Sequence, residues 1–396
     1  MSERIYLDWN ATAPLRPAAR AAMLAALDQV GNASSVHAEG RAARHLVETA
    51  REQVAALVGA EPRNVIFTSG GTEANAFALT PTLDHGGDRQ PRDRLLISAI
   101  EHPSVRSGGR FPPQAIEEIA VTSDGVVDLA ALAGRLKALA GQGARVLVSL
   151  MHANNETGVL QPVSAAAELV HAAGGLLHVD AVQTVGRIPI SIKELGADLL
   201  TLSGHKLGGP QGTGALVKAS EALHLEPLIK GGGQERGGRA GTENVAAIAG
   251  LGAAAKAARE ELAAEGARIA ALQERLEAGL AAIAAETVIF GQKAERLPNT
   301  TLFAVPSCRA ETVLISLDLE GIAASSGSAC SSGKVTASHV VKAMGVGSEL
   351  GAGAVRLSLG RDTTEAEIEG FLIAWRKLVS RLSKGVKRGP KRGLAA

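Results

Sequence analysis

From about Asn64 to Val217, short and nearly unbroken apolar runs alternate with longer Ala-rich stretches compatible with helices. The runs are Val65–Thr68, Leu95–Ile100, Val146–Met151, Leu176–Val179, Leu199–Leu202 and Ala215–Val217. Runs this short with no polar alternation fit strands buried on both faces, the pattern of a mostly parallel sheet flanked by helices. The prediction for this region is therefore an α/β domain. A long Ala-rich helix is expected from about Val245 to Glu286. Beyond it the texture changes. Thr300–Val305, Ile322–Ala324 and Ala354–Leu359 read as strands, interleaved with helices near Glu311–Asp318 and Thr364–Ser383. This second pattern predicts a smaller α+β domain, which the N-terminal segment is expected to join.

Polar residues fall at the ends of the predicted strands. Glu101-His102-Pro103 follows the second run, and His152-Ala153-Asn154-Asn155-Glu156 follows the third. Asp180 ends the fourth, and Ser203-Gly204-His205-Lys206 follows the fifth. Open α/β sheets bind ligands at the carboxyl ends of their strands, so four consecutive endings of this kind point to one shared site.

Composition narrows the chemistry. The chain has 396 residues, 46% hydrophobic and 20% charged, a globular balance with room for two or three domains. Its formal charge of +1 gives no electrostatic case for nucleic acid, and 2% aromatics leave little material for stacking bases. Two cysteines, Cys308 and Cys330, can form neither a disulfide framework nor, alone, a four-thiolate metal site. No leader and no apolar stretch of about 20 residues is visible, so a cytoplasmic, membrane-free protein is expected.

Thr68-Ser69-Gly70-Gly71-Thr72-Glu73-Ala74-Asn75 follows the first run and opens a predicted helix. Small residues there let backbone N–H groups and the helix dipole face an anion, although strand-to-helix turns often carry Gly and Thr without one. The segment is neither a P-loop nor a dinucleotide fingerprint. Most lysines are solvated, yet Lys206 directly follows a buried run, where partial burial would make it a Schiff-base nucleophile. Asp180 reads either as the N-cap of the next segment or as the partner of a pyridinium nitrogen. Lys206, Asp180 and the anion turn together fit pyridoxal phosphate better than a metal or a nicotinamide. His102 reads as a loop histidine bonded to backbone, or as a group stacked on a cofactor ring and moving protons.

These residues belong to a longer series of motifs: Asp8–Thr12, Gly31–His37, Thr68–Asn75, Glu101–Pro103, Asn154–Gly158, His178–Gln183, Ser203–Lys206, Gln234–Asn244, Ser325–Cys330 and Val355–Arg361. In this series the chain resembles the cysteine desulfurases of the class V aminotransferase group, of the nitrogen-fixation and iron–sulfur-cluster type. The resemblance implies fold type I of the pyridoxal-phosphate enzymes. Its large domain would span residues 15–260, and a small domain would comprise 1–14 and 261–396.

By the same resemblance, Lys206 would bind the cofactor covalently, Asp180 would meet its ring nitrogen, and Gln183 its phenolic oxygen. His102 would stack on the ring. Gly71, Thr72, Ser203 and His205 would hold the phosphate, with Thr242 reaching the neighbouring subunit's phosphate in a homodimer. Asn155 and Arg356 would take the carboxylate of L-cysteine, which leaves as L-alanine. Cys330 would receive the sulfur as a persulfide for an iron–sulfur scaffold or another acceptor protein. No metal is expected in the cofactor site, and Cys330 would ligate an iron–sulfur cluster only transiently.

The residues around Cys330 support its separation from Cys308. Cys308 reads as a small buried hydrophobe, whereas Cys330 lies in Ser325-Ser326-Gly327-Ser328-Ala329-Cys330-Ser331-Ser332-Gly333, which has little to pack. The length from Cys330 to Ser338-His339-Val340 resembles the long-loop branch of the family. Trp9 stands where the family usually has Asn, Ala33 and Ala337 where it has Pro, and Gly238 where it has a bulky or basic residue. The alternative within the same scaffold is a selenocysteine lyase or another class V enzyme.

Overall fold

All six apolar runs become strands of one seven-stranded sheet, in a computed structural model that describes residues 4–87, 90–306, 308–326 and 338–386. Across the sheet the strands are Val65–Thr68, Gly214–Lys218, Leu199–Ser203, Leu176–Asp180, Val146–Met151, Arg94–Ser98 and Ile116–Ile119. Every pairing is parallel except those of Gly214–Lys218, which runs against both neighbours.

The two-sided burial follows from the period of two along each strand. Val146, Val148 and Leu150 enter one core with Leu177, Val179, Leu200 and Leu202. Leu147 enters the opposite core with Leu95, Ile97, Leu176, Leu199 and Phe77. Ile116–Ile119, read Ile-Glu-Glu-Ile, was not among the expected strands. It lies at the sheet edge, where Glu117 is tied to Arg135 at 2.5 and 2.8 Å, so one flank needs no apolar run.

The long helix Val245–Ile283 has 39 residues and spans about 58 Å at 1.5 Å per residue. Its first half packs Ile248, Leu251, Ala254 and Ala255 into the large-sheet core. Its second half packs Ile269, Leu272, Leu276 and Leu280 into a separate core with Phe303, Leu317, Leu357, Phe371 and Trp375. Few aromatics suffice there because they are concentrated. Phe303 meets Trp375 edge-on at 5.3 Å, and Phe371 stacks on the same ring at 6.4 Å.

This second unit contains the antiparallel strands Val288–Ile289, Thr300–Ala304 and Val355–Ser358 and the helices Ala310–Leu319 and Glu365–Val386. The N-terminal strand Ile5–Tyr6 pairs in parallel with Ile322–Ala323, so the first residues join this unit. Among the described residues, no helix is long and apolar enough to cross a membrane.

Candidate active site

A cavity of about 510 Å³ opens at the carboxyl ends of the central strands. The large sheet supplies most of its wall, while Asn10, Ala11 and Arg356 close it from the second unit. Gly71, Thr72, His102, Asn155, Asp180, Gln183, Ser203, His205, Lys206 and Arg356 all line it. Thr242 is exposed and is not part of this wall. Cys330 lies outside the described residues.

The glycine turn enters the wall because nothing larger fits. A Cβ on Gly71 would stand 2.9 Å from Val182 Cγ2 and 3.3 Å from Ser203 Cβ. The helix Gly71–Ala78 starts there, so its first N–H groups and the Thr72 side chain border the cavity. Glu73 turns back, accepting from Ser69 N at 2.8 Å and pairing with Arg239 Nε at 3.0 Å. That pairing sets a cation against the carboxylate and offsets its charge beside the turn.

Asp180 is held at both oxygens. Val182 N donates to Oδ1 at 3.0 Å, and Asn75 Nδ2 donates to Oδ2 at 2.8 Å. Asp180 therefore does begin the next turn as a cap, and it also faces the cavity. The carboxylate can only accept, which turns the amide nitrogen toward it and leaves Asn75 Oδ1 to accept from Thr201 Oγ1 at 2.6 Å. The same Asn75 Nδ2 reaches Ser104 Oγ at 2.9 Å.

Ser104 links this network to His102, whose Nδ1 lies 2.7 Å from its hydroxyl and accepts its backbone N–H at 3.2 Å. An acceptor Nδ1 leaves the ring proton on Nε2. Burial pushes the His102 pKa below its usual value; the charge of Asp180 opposes this and that of Lys206 adds to it. The imidazole is thus neutral at neutral pH. His102 bonds backbone and also lines the cavity.

Lys206 Nζ donates to the carbonyls of Asn10 at 2.5 Å and Ala11 at 2.8 Å. Asn10 is in turn anchored in the second unit: Ser358 Oγ accepts its N–H at 2.9 Å, and its side chain meets Thr300 and Asn299. The lysine is consequently positioned by residues far away in sequence. His205 Nδ1 lies 3.2 Å from Thr12 Oγ1, and its pKa falls to about 4 through burial and the charges of Lys206 and Arg187.

Across the cavity, Arg356 is 3% exposed. Its Nη2 donates to Asp8 Oδ1 at 2.7 Å and its Nη1 to the Asn155 carbonyl at 2.8 Å. Its Nε is buried without a partner among the described residues, a donor that a bound carboxylate would satisfy.

Sequence reasoning quoted Asn75 only as part of the turn, Asp8 only as part of a motif and Thr201 only within an apolar run, and did not name Ser104 or Arg187. Asn75 was within reach, since it lies one helical turn after Thr72 and shares its face. The others are linked to the site through contacts that spacing does not announce.

Two buried acids lie behind this wall. Ser338 Oγ donates to Glu156 Oε2 at 2.5 Å, and burial raises the Glu156 pKa to about 7. Glu101 Oε1 accepts from Ser98 Oγ at 2.6 Å and Met151 N at 2.8 Å, while Oε2 has no partner among the described residues. Burial raises the Glu101 pKa to about 8, against the pull of those two hydrogen bonds.

The folded state thus keeps a proton on Glu101 that the unfolded chain releases near pH 4.5. Stability from this group is fully present below that value and is lost as pH rises toward 8. Glu101→Gln keeps the shape and the acceptor without the charge. It should flatten the decline in unfolding free energy between pH 5 and 8 by a few kcal/mol, on the order of the cost of the raised pKa. Urea titrations at both pH values measure this, and equal declines in both proteins would refute it.

The model of the family described as Aminotransferase class-V matches residues 5–371. A cysteine desulfurase from Gluconacetobacter diazotrophicus is 41% identical over 384 residues, covering 96% of this chain and 94% of that protein. The cysteine desulfurase IscS of Dictyoglomus turgidum is 38% identical over 394 residues, covering 96% of each. Among solved structures, a NifS-like protein from Rickettsia africae superposes with a TM-score of 0.85 at 37% identity, over 96% of this chain and 100% of that one.

Proposed function

We propose that this chain, which belongs to the class V aminotransferase family and is a cysteine desulfurase, uses pyridoxal phosphate to convert L-cysteine to L-alanine. The sulfur would pass as a persulfide on Cys330 to an acceptor of iron–sulfur cluster assembly. The observation that carries the reading is the meeting of Lys206, Asp180, the Gly71 turn and Arg356 around one cavity.

The donor set fits the cofactor. Asp180, fixed at both oxygens, would meet a ring N–H, and the Gly71–Thr72 turn with Ser203 and His205 would hold the phosphate. Gln183 would face the phenolic oxygen and His102 the ring. Bound there, the cofactor supplies an electron sink for the charge released when the substrate's Cα loses its proton.

This chain's own residues would do the rest. Arg356, with its orphan Nε, and Asn155 would bind the substrate carboxylate, which places the amino group toward Lys206. Lys206 Nζ, released from the Asn10 and Ala11 carbonyls, would carry the proton between Cα and the product. His102, neutral with its proton on Nε2, would move a second proton. The Cys330 thiolate would attack the substrate sulfur. A sulfur–sulfur bond forms as the carbon–sulfur bond breaks, the electron pair stays on carbon, and protonation yields alanine.

In this reading, residues 15–260 hold the cofactor, and residues 1–14 with 261–396 bring Arg356 and Cys330 to it. The enzyme would be a cytoplasmic homodimer in which Thr242 serves the partner subunit's site. No metal takes part at the cofactor, and Cys330 would touch an iron–sulfur cluster only in transfer.

Mass spectrometry of the protein after exposure to L-cysteine tests the reading. One added sulfur is expected on the Cys330 peptide and none on the peptide of buried Cys308. An unmodified Cys330 peptide alongside alanine production would refute it.

A further inference from the structure

Gln183 lines the cavity with an amide whose two ends have opposite hydrogen-bonding character. Such an amide can turn over unless its neighbours distinguish oxygen from nitrogen. Arg187 makes that distinction. Its Nη1 donates to Gln183 Oε1 at 2.5 Å and to the Gln183 carbonyl at 3.0 Å, and its Nη2 donates to the Trp9 carbonyl at 3.3 Å. A guanidinium has no acceptor, so the reversed amide would set donor against donor. Gln183 Nε2 already donates one hydrogen to the Asn10 carbonyl at 3.3 Å, and its other hydrogen remains for the cavity.

The electrostatics point the same way. Each oxygen that accepts from Arg187 is neutral, and none belongs to a carboxylate. Burial and the nearby charge of Arg356 push its pKa down to about 9, which leaves it cationic at neutral pH. The charge reaches across the site, since it helps to lower the pKa of His205. Arg187 and Lys206 also share the wall of a second, smaller cavity of about 60 Å³.

We propose that Arg187 is a positioning residue, which fixes the Gln183 amide with Nε2 toward the phenolic oxygen of bound pyridoxal phosphate and gives that oxygen a positive surrounding. The inference rests on the reading that this cofactor occupies the cavity with Gln183 beside that oxygen. Trp9 takes part through its backbone carbonyl alone, so the unusual side chain at that position does not enter the argument.

The test compares wild type, Arg187→Gln and Arg187→Lys, each loaded with pyridoxal phosphate. Two quantities are read: the pH midpoint of the cofactor's visible absorbance change and the cofactor dissociation constant. The yellow form carries one proton more than the form that replaces it at high pH, and a nearby cation disfavours that proton. Arg187→Gln should therefore raise the midpoint by about one unit and weaken binding by roughly tenfold. Arg187→Lys keeps the charge without the fork, so its midpoint should stay near wild type while binding weakens several-fold.

A wild-type midpoint and affinity in Arg187→Gln would overturn the proposal, as would a loss of thermal stability with neither quantity changed. Should that variant not fold, Arg187→Lys decides through affinity, and wild-type binding there overturns the proposal. A wild-type protein that takes up no pyridoxal phosphate would instead overturn the cofactor reading itself, and this inference with it.

Discussion

Cys330→Ala is expected to bind pyridoxal phosphate with wild-type affinity and colour while losing sulfur release from L-cysteine by on the order of 10³-fold or more. The sulfur must leave as an atom bonded to a nucleophile, and water is a poor substitute for a positioned thiolate. The variant should therefore still react with cysteine, seen as a change in the cofactor's absorbance that does not return as product forms. Among the cavity's described residues none is a cysteine, so no second thiol there can take over. Cys308 is buried in the second unit's core, and burial together with Glu286 raises its pKa, which suppresses the thiolate. Cys308→Ala is the matched control and should keep full activity. Sulfide and alanine production is the measurement, and a Cys330→Ala variant within tenfold of wild type would remove this residue from the mechanism.

Lys206→Ala is expected to act earlier and to lose more. In the proposed mechanism it would remove the covalent anchor of the cofactor and the proton carrier at Cα, and it removes two hydrogen bonds that join the two units. Activity should fall by on the order of 10⁴-fold, since nucleophile and base are lost together. The Ala11 carbonyl would also lose its donor, at about 1–3 kcal/mol if left unsatisfied, while the Asn10 carbonyl keeps Gln183 Nε2. Lys206→Arg separates these effects. It keeps a cation that can donate to both carbonyls but cannot form the covalent bond, so it should recover stability without recovering activity. Borohydride reduction followed by peptide mass spectrometry checks the anchor directly, with cofactor mass expected on the Lys206 peptide of wild type alone. Attachment to any other peptide in wild type would sink the assignment.

Much of this was legible in the chain. The six apolar runs each became a strand because each is covered on both faces and must therefore be apolar throughout, Val65–Thr68 at one edge of the sheet and the antiparallel Gly214–Lys218 included. The edge strand Ile116–Ile119 escaped notice for the converse reason: a flank that meets Arg135 and Glu117 need not be apolar. Ten of the expected site residues line one cavity: nine end or follow strands of the large sheet, which deliver their carboxyl ends to the same edge, and Arg356 comes from a strand of the second unit. Cys330 was marked as unusual by its Ser/Gly surroundings, but its role came only from the family resemblance.

What the sequence by itself determined is the class of the sheet, the edge that carries the chemistry and the residue types found there. These follow from local rules: the period of burial along a strand, the turn after it and the charge that ends it. The tertiary structure decided the orientation of those groups. Lys206 is set by two carbonyls some 195 residues away, Arg356 by Asp8 from the opposite terminus, and Asp180 by the Asn75 amide, whose other end meets Thr201. Arg187 stands only four residues from Gln183, yet the outcome of that contact depends on Trp9 and Asn10. Hydrogen-bond direction is a property of which atoms meet in space, and a one-dimensional pattern carries the residue types without the meeting.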